Sequence, residues 1–238
     1  MNSRVKTAVL ESLPCAPGYL LDLPSGDGWL AHAALQKGHQ VVAGDLYPQE
    51  VGGVRFFLCD LNQAIPLRSD LFDYIYCCEG IEHLRNTHWP LSEFSRILKS
   101  TGLLILTLPN ILNIGSRFKF LFSGRFLSFP HLYEVPSSKP GEHVHEHINP
   151  VSVSQLYYIA KKYNLSCEGF IPQPYEAKKV IRRIWFLPVL QTIGKIRQLL
   201  AKHPSKKLLW SILSSRECLL HDHVIVRFRK AGAPGGVA

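Results

Sequence analysis

The stretch YLLDLPSGDG, residues 19–28, carries a short apolar run into a turn that contains two glycines. The ten residues that follow, WLAHAALQKG (29–38), place apolar side chains at helical spacing and end on Gly38, a residue type that commonly stops helices. Strand, glycine-rich turn and helix form the unit from which parallel sheets are built. Because ligands bind beyond the carboxyl ends of the strands in such sheets, we expect this turn to border a binding site.

Short apolar or β-branched runs recur along the rest of the chain, and helical patterns lie at 91–102 and 152–164. Strands that alternate with helices and are apolar throughout indicate a parallel sheet covered on both faces. We therefore predict a doubly wound, mostly parallel, seven-stranded Rossmann-like α/β sheet with an antiparallel C-terminal strand. The remaining predicted strands are QVVAGD (40–45), VRFFLCD (54–60), YIYCC (74–78), LLILTLP (103–109), LSCEGFI (165–171) and DHVIVRFRK (222–230).

Two carboxylates accompany the glycines of the first turn. Asp22 stands four residues before Gly26, and Asp45 ends the second predicted strand. The glycines alone also fit a dinucleotide-binding fingerprint, and either aspartate alone is better explained as a helix cap or turn residue. A carboxylate at Asp22 disfavours a nicotinamide-dependent oxidoreductase, because it would repel a pyrophosphate but suits a ligand with an ammonium and a sulfonium. Asp45 can accept both hydroxyls of a ribose, so the combination with Gly26 and Gly28 favours a ligand site.

Five segments extend this pattern in a fixed order: LDLPSGDG (21–28), VVAGDLYP (41–48), FFLCDLN (56–62), FDYIYCCEGIEHL (72–84) and FSRILKSTGLLILTLPN (94–110). Together they resemble the successive motifs of class I S-adenosylmethionine-dependent methyltransferases of the small-molecule type. The resemblance covers about residues 17–170, and the closing strand near 223–230 also fits. It implies a Rossmann-like fold, S-adenosyl-L-methionine as cofactor and methyl transfer as activity.

The resemblance also implies which residues contact the cofactor. In that family the loops after the first four strands hold the methionine end, bind the ribose, lie by the adenine and pass near the sulfonium. In this chain those positions are, in the same order, Asp22 to Gly28 with Pro24 and Gly26, Asp45 with Leu46, Asp60 with Leu61, and Cys78 with Glu79. The family usually has glycine where this chain has Pro24, which fixes φ and removes an N–H. This departure keeps open an alternative, a non-catalytic scaffolding or membrane-docking module with the same fold.

Two histidines are candidates for catalysis, because a hydroxyl acceptor must lose a proton and histidine is the usual base. His83 belongs to an EH pair that is common in the family, and it equally fits a structural role at a helix start. His147 begins HINPVSVSQL, a position that faces the acceptor site in relatives, and a structural loop role is the alternative. His143, His145 and His147 alternate and could hold a metal ion. No second His or Cys pair supports that hypothesis, so no metal site is predicted.

The segment 110–150 is too long for a plain connection and is rich in phenylalanine. Segments inserted after the fifth strand commonly cover the acceptor pocket in the family, so we expect an acceptor-site cover here. Its phenylalanines form either an apolar pocket wall or a satellite core. The pattern PN…SRFKFLFSG…HINP is similar to methyltransferases encoded with bacterial cell-surface glycan synthesis. That similarity implies a small-molecule or lipid-linked glycan acceptor, methylated at a sugar hydroxyl.

The net charge of +9 comes from one segment, because ten basic and no acidic residues lie between Lys178 and Arg216. Without those ten, 17 basic residues face 18 acidic ones, a balance of −1. Large apolar side chains are interleaved with the charges, which suits an anionic membrane surface better than nucleic acid. The alternative is a helical cover whose basic face is solvated. We expect an amphipathic helical insertion over 176–217.

Six cysteines without a CxxC pair indicate a reducing compartment, so the cytoplasm is the expected location. A peripheral position on the inner face of the membrane is left open by the basic segment. The N-terminus lacks the continuous apolar stretch of a secretory signal, and no run reaches the roughly 18 apolar residues of a spanning helix. We expect a single domain over 1–238 that ends in a disordered tail at 231–238.

Overall fold

Seven strands form one sheet in the computed structural model, which describes residues 1–130 and 146–231. The strands are β1 (Tyr19–Asp22), β2 (Gln40–Asp45), β3 (Arg55–Leu58), β4 (Phe72–Cys78), β5 (Leu98–Pro109), β6 (Leu165–Phe170) and β7 (His223–Lys230). Their order across the sheet is β3-β2-β1-β4-β5-β7-β6. Strands β1 to β5 pair in parallel, and β7 runs antiparallel to both β5 and β6. The predicted fold class is confirmed.

Nine helices lie in the part of the chain that the structure describes, together with 3₁₀ turns at Ile81–His83 and Ile184–Phe186. The helices are α1 (Ser3–Glu11), α2 (Trp29–Gln36), α3 (His88–Ile97), α4 (Ile114–Ser123), α5 (Val153–Lys162), α6 (Ala177–Arg183), α7 (Leu187–Leu200), α8 (Pro204–Leu213) and α9 (Arg216–Leu220). The predicted cover 110–150 is described only in part. The predicted tail is described only at its first residue.

Helices pack on both faces of the sheet, because neighbouring strand residues point to opposite sides. Leu20 faces a cluster with α1 and α2, whereas Leu21 faces a cluster with α3 and α5. Both side chains are fully buried, and each contributes about 1.5–3 kcal/mol to folding by leaving water. This two-sided core fixes the strand ends from which the functional loops emerge.

The predicted helix at 91–102 is wrong at both ends, since α3 begins at His88 and residues 98–102 already belong to β5. Leu98 pairs with Phe72, and the pairing then skips to Tyr74 with Leu103. The intervening residues bulge, with Thr101 at a φ of 65°. The spacing of apolar residues does not reveal this bulge, because Leu98 would be buried both in a helix that continued to residue 102 and in the strand that is observed.

The basic segment lies between β6 and β7, where α6, α7 and α8 follow one another. Lys161 of α5 donates to the hydroxyl of Ser205 at 2.7 Å and ties α8 to the body of the protein. Gly194 of α7 allows a close approach, because a Cβ there would lie 2.2 Å from Cβ of Ser214. Within the described residues, no helix combines the length and the apolar character needed to cross a membrane.

Candidate active site

A cavity of about 430 Å³ opens beyond the carboxyl ends of β1, β2 and β4. The chain order reverses beside β1, which lies between β2 and β4, and ligands of doubly wound sheets bind at this switch point. Eight of the ten predicted cofactor residues line the cavity. They are Pro24, Gly26, Asp45, Leu46, Asp60, Leu61, Cys78 and Glu79.

The glycine-rich turn wraps the edge of this cavity. Gly26 and Gly28 adopt φ values of 51° and 73°, a region that other residues enter only at a cost. The N–H of Gly26 donates to Oδ2 of Asp45 at 2.9 Å and so fixes that carboxylate at the rim. Gly28 lies behind the rim against Val51, whose Cγ1 would be 2.7 Å from an added Cβ.

Asp22 is buried behind the cavity and does not line it. Its Oδ2 accepts a hydrogen bond at 3.1 Å from the N–H of Ala31 in the first turn of α2. Burial raises the pKa of Asp22 to about 8, and the nearby carboxylates of Asp45 and Asp27 act in the same direction. In this structure Asp22 therefore joins the end of β1 to the start of α2.

Pro24 and Ser25 form the floor of the turn. A Cβ on Gly80 would meet Cδ of Pro24 at 2.7 Å, so the loop after β4 packs directly on the proline ring. The N–H of Ser25 donates to the carbonyl of Gly44 at 2.9 Å. The hydroxyl of Ser25 is buried and has no hydrogen-bond partner among the described residues, and Ser25 lines the cavity. Buried hydroxyls usually have a hydrogen-bond partner, and a polar group of a ligand in the cavity could be the partner here.

The loop after β3 forms the opposite wall. Oδ1 of Asp60 accepts from the backbone and side-chain nitrogens of Asn62 at 2.8 and 3.0 Å. Oδ1 of Asn62 accepts in turn from the N–H of Arg85 at 3.1 Å. This turn presents Leu61 as an apolar surface beside a carboxylate, an arrangement that suits a purine ring.

Glu79 is held by side chains from two distant strands. Its N–H donates to Oγ1 of Thr107, the hydroxyl of Thr107 donates to Oε1, and Nε2 of His223 lies 3.2 Å from Oε2. Burial opposes ionisation of Glu79, but the hydrogen bond and charge of His223 hold its pKa below the usual range. Burial would lower the pKa of His223, yet Glu79 raises it above its ordinary value. No local sequence signal marks Thr107 or His223.

The structure brings the two catalytic candidates together at the mouth of the cavity. The rings of His83 and His147 have centroids 4.8 Å apart. The carbonyl oxygen of Glu82 accepts from the N–H groups of Ile148 and Asn149 at 3.0 and 2.9 Å, which anchors the segment beside the 3₁₀ turn. The other two histidines of the predicted alternating set, at 143 and 145, lie outside the described residues.

Backbone carbonyls fix the tautomers of both histidines. Nδ1 of His83 lies 3.0 Å from the carbonyl oxygen of Glu146, and Nδ1 of His147 lies 2.7 Å from that of Ser128. A carbonyl only accepts, so each Nδ1 carries the proton. In each neutral imidazole, Nε2 is therefore the basic nitrogen.

A second cavity of about 570 Å³ lies between α4 and α6. Ser128 and His223 line it, and both also contact residues of the first site. Lys179 and Arg183 reach into it and pair with Asp222 at 2.6 Å each. Arg182 also lines it and has no ion-pair partner among the described residues. The cavity is thus basic, and through Ser128 it adjoins His147.

Solved structures with the same fold cover nearly the whole chain at low identity. An S-adenosylmethionine-dependent methyltransferase from Mesorhizobium loti has a TM-score of 0.56 at 13% identity, over 95% of this chain and 98% of that one. The 1,6-didemethyltoxoflavin-N1-methyltransferase from Burkholderia thailandensis, solved with S-adenosylhomocysteine, has a TM-score of 0.53 at 15% identity, over 96% and 77%. The [4+2]-cyclase SpnF has a TM-score of 0.55 at 16% identity, over 97% and 81%. These likenesses show the fold alone.

A switch-point cavity with acidic residues on successive loops defines the class of Rossmann-like proteins that bind a nucleoside ligand. Residues 2–168 match the family described as "Methyltransferase domain", and the chain belongs to that family. Comparison with curated protein sequences gives no match. The protein is a class I methyltransferase that uses S-adenosylmethionine. The unpartnered hydroxyl of Ser25 and the rim carboxylate of Asp45 fit this cofactor, because it carries a carboxylate and a ribose.

Proposed function

We propose that the protein transfers a methyl group from S-adenosylmethionine to the hydroxyl oxygen of a sugar in a small or lipid-linked glycan. The observation that carries the proposal is the pair of histidines at the cavity mouth, with both Nε2 atoms set as bases by their carbonyl partners. An oxygen acceptor needs such a base, because its proton must leave as the new bond forms.

The cofactor contacts follow the loops around the cavity. Asp45 binds the ribose hydroxyls, the hydroxyl of Ser25 meets the methionine carboxylate, and Leu61 with Asp60 faces the adenine. Leu46 lies beside the ribose, while Cys78 and Glu79 approach the sulfonium. Asp22 acts from behind by holding β1 and α2 in register.

The bound cofactor supplies an electrophilic methyl carbon on a positively charged sulfur. The acceptor oxygen forms the new bond to that carbon, while the electron pair of the broken carbon–sulfur bond remains on sulfur. The hydroxyl proton passes to Nε2 of His147 or His83 in the metal-free protein. Positioning of the two reactants in line provides the remaining rate enhancement.

The second cavity supports an acceptor that carries phosphate. It adjoins His147 through Ser128, and Arg182 lines it with a guanidinium that is suited to bidentate phosphate binding. Lipid-linked glycans carry phosphate between sugar and lipid, so the sugar would reach the histidines while the phosphate contacts α6. Asp222 neutralises part of the basic charge and leaves Arg182 as the residue proposed to contact the phosphate.

The surface outside this cavity supports peripheral attachment to a cytoplasmic membrane face. Trp185, Leu199 and Leu200 are 79, 84 and 72% exposed, and Phe122 at the end of α4 is 81% exposed. Exposed basic residues lie on the same helices α6 and α7, among them Lys178, Lys195 and Arg197. Segments that combine both kinds of side chain bind anionic lipid surfaces. We propose that this surface, formed by α4, α6 and α7, docks on the membrane that holds the acceptor.

Calorimetric titration with S-adenosylhomocysteine tests the cofactor half of the proposal, and saturable binding is expected. Incubation of the protein with deuterated S-adenosylmethionine and a bacterial lipid extract tests the acceptor half. Mass spectrometry should then detect a labelled methyl group on a glycan lipid. Absence of S-adenosylhomocysteine binding would instead favour a non-catalytic docking module, and label found only on nitrogen would overturn the hydroxyl acceptor.

A further inference from the structure

Three potential metal ligands meet at the mouth of the cavity: a carboxylate oxygen of Glu82 and one ring nitrogen each of His83 and His147. These ligand atoms all lie within 4.8 Å of one another. Ions such as Zn²⁺ bind nitrogen and oxygen at about 2.1 Å, which places neighbouring ligand atoms about 3.4 Å apart. Small rotations of the three side chains would close that difference.

Glu82 carries a carboxyl group in the protein interior. Its side chain is buried, and neither carboxylate oxygen has a hydrogen-bond partner among the described residues. A buried carboxylate is costly unless it is paired or coordinates a metal.

The two histidines are oriented as metal ligands usually are. Metal-bound histidine almost always donates its second ring N–H to a carbonyl, carboxylate or water, which fixes the tautomer and the ring. Here Nδ1 of each ring faces a backbone carbonyl, from Glu146 for His83 and from Ser128 for His147. In each ring Nε2 is therefore the unprotonated nitrogen, the form that binds a metal.

We propose that Glu82, His83 and His147 form a binding site for one divalent transition-metal ion, with Zn²⁺ as the ion that fits best. Two imidazoles and one carboxylate are a ligand set of catalytic zinc sites, in which a further position remains open. Hard cations such as Mg²⁺ prefer oxygen ligands and fit two imidazoles poorly. The sequence predicts no metal here, because the histidines come from separate segments and Glu82 reads as a helix-start residue.

The ion would lie beside the cavity that His83 lines. An acceptor hydroxyl would coordinate the ion there through its oxygen, and a bound metal lowers the pKa of such a group so that its proton leaves to solvent. This role rests on the proposed function, whereas metal binding itself does not. With the ion bound, the histidines position it and no longer act as bases.

The test uses the full chain after removal of metals with a chelator. Zn²⁺ is titrated at neutral pH against a chromogenic chelator, and Co²⁺ is titrated in parallel while its visible absorption bands report the ligand geometry. We expect one equivalent of each ion to bind. Glu82→Gln, His83→Gln and His147→Gln should each weaken Zn²⁺ binding by roughly tenfold or more and abolish the Co²⁺ bands. Mg²⁺ at the same concentration should not compete.

His32→Gln is the matched control, because Nδ1 of His32 also faces a backbone carbonyl, that of Gly28 at 2.9 Å, outside the cluster. Its Zn²⁺ affinity should equal that of the wild type. Binding of S-adenosylhomocysteine by each variant shows that the fold is intact and tests the cofactor site separately. No saturable Zn²⁺ binding, or equal affinity in the wild type and in those ligand variants that retain S-adenosylhomocysteine binding, would overturn the site.

Discussion

The loops around the first cavity and the helical segment 176–217 differ in where their charged and apolar side chains lie. Around the cavity, carboxylates are held by backbone N–H groups, as Asp45 is by Gly26, and apolar strand residues such as Leu21 are fully buried. On α7 and the turn before it, basic side chains project into solvent beside Leu199 and Trp185, which are 84 and 79% exposed. Contacts within the chain hold the carboxylates of the first region, whereas these apolar side chains of the second region stay exposed in the part of the chain that the structure describes.

The contrast indicates that the two regions recognise different things. Preorganised polar groups in a concave site select one small molecule, because each group already points to its ligand atom. An exposed mixture of basic and apolar side chains recognises a surface by area and charge instead. If this division is correct, variants of one region should leave the function of the other intact, and the predictions below test that separation.

The largest effect is expected at the cavity mouth. His147→Ala removes either the base or the metal ligand, so turnover of the glycan acceptor should fall by roughly 100-fold or more. The affinity for S-adenosylhomocysteine and the binding to anionic vesicles should stay unchanged. Release of S-adenosylhomocysteine in the presence of a lipid extract measures the turnover. His32→Ala is the control, and a normal rate in His147→Ala would return His147 to a structural role in its loop.

The second prediction concerns the exposed apolar residues of the helical segment. Replacing Trp185 and Leu199 by serine removes two anchors worth about 1 kcal/mol each when half buried in lipid, so vesicle partitioning should fall about thirtyfold. Flotation with vesicles that contain anionic lipid measures the partition. Binding of S-adenosylhomocysteine should not change.

The matched control is Tyr158→Ser, because Tyr158 is 70% exposed but lies on α5, away from the proposed docking surface. A charge test completes the set: Lys178→Glu with Lys195→Glu should also release the protein, because both are exposed and neither lines the second cavity. Rising salt should release the wild type. Lys179 and Arg183 are unsuitable for it, since both pair with Asp222. If the wild type floats to the same extent with and without vesicles, the segment does not bind the membrane and is instead a helical cover with a solvated basic face.

Local sequence patterns predicted the sheet, and eight of the ten residues that they indicated for cofactor binding line one cavity. Apolar strands, a turn with Gly26 and an acidic residue at a strand end occupy short windows, and the parallel topology brings successive strand ends to one edge. The position of Asp22 behind the cavity could not be predicted, since its hydrogen bond to Ala31 depends on how α2 packs against β1.

Contacts between distant segments escaped prediction for the same physical reason. Thr107 and His223 hold Glu79 only because β5 and β7 pair in the sheet. The approach of His147 to the 3₁₀ turn depends on backbone hydrogen bonds to the carbonyl of Glu82, which no side-chain pattern encodes. Composition likewise revealed an amphipathic segment but not which of its apolar residues the fold would cover.

The third prediction addresses the rim of the cofactor cavity. Asp45→Ala removes the carboxylate proposed to bind the ribose, and charge-assisted hydrogen bonds contribute about 1.5–3 kcal/mol. Affinity for S-adenosylhomocysteine should fall about tenfold or more, as calorimetry would measure. Asp60→Ala tests the adenine wall in the same assay with a smaller expected loss. An unchanged dissociation constant in Asp45→Ala would remove this residue from the site, and vesicle binding should be normal in both variants.

The smallest expected effect is a loss of stability when a glycine in either region is replaced by alanine, and its cause should differ between Gly26 and Gly194. Gly26 has a φ of 51° and no atom within 4 Å of an added Cβ, so Gly26→Ala should lower the free energy of unfolding by about 1 kcal/mol through backbone conformation alone. Gly194 is helical, and its Cβ would instead overlap Ser214 at 2.2 Å. Urea unfolding of Gly194→Ala should show a loss that Ser214→Gly partly restores, whereas no neighbouring substitution should restore Gly26→Ala. If Ser214→Gly gives no recovery, α7 does not pack on this residue as closely as the structure indicates, and the separation between a conformational and a packing glycine fails.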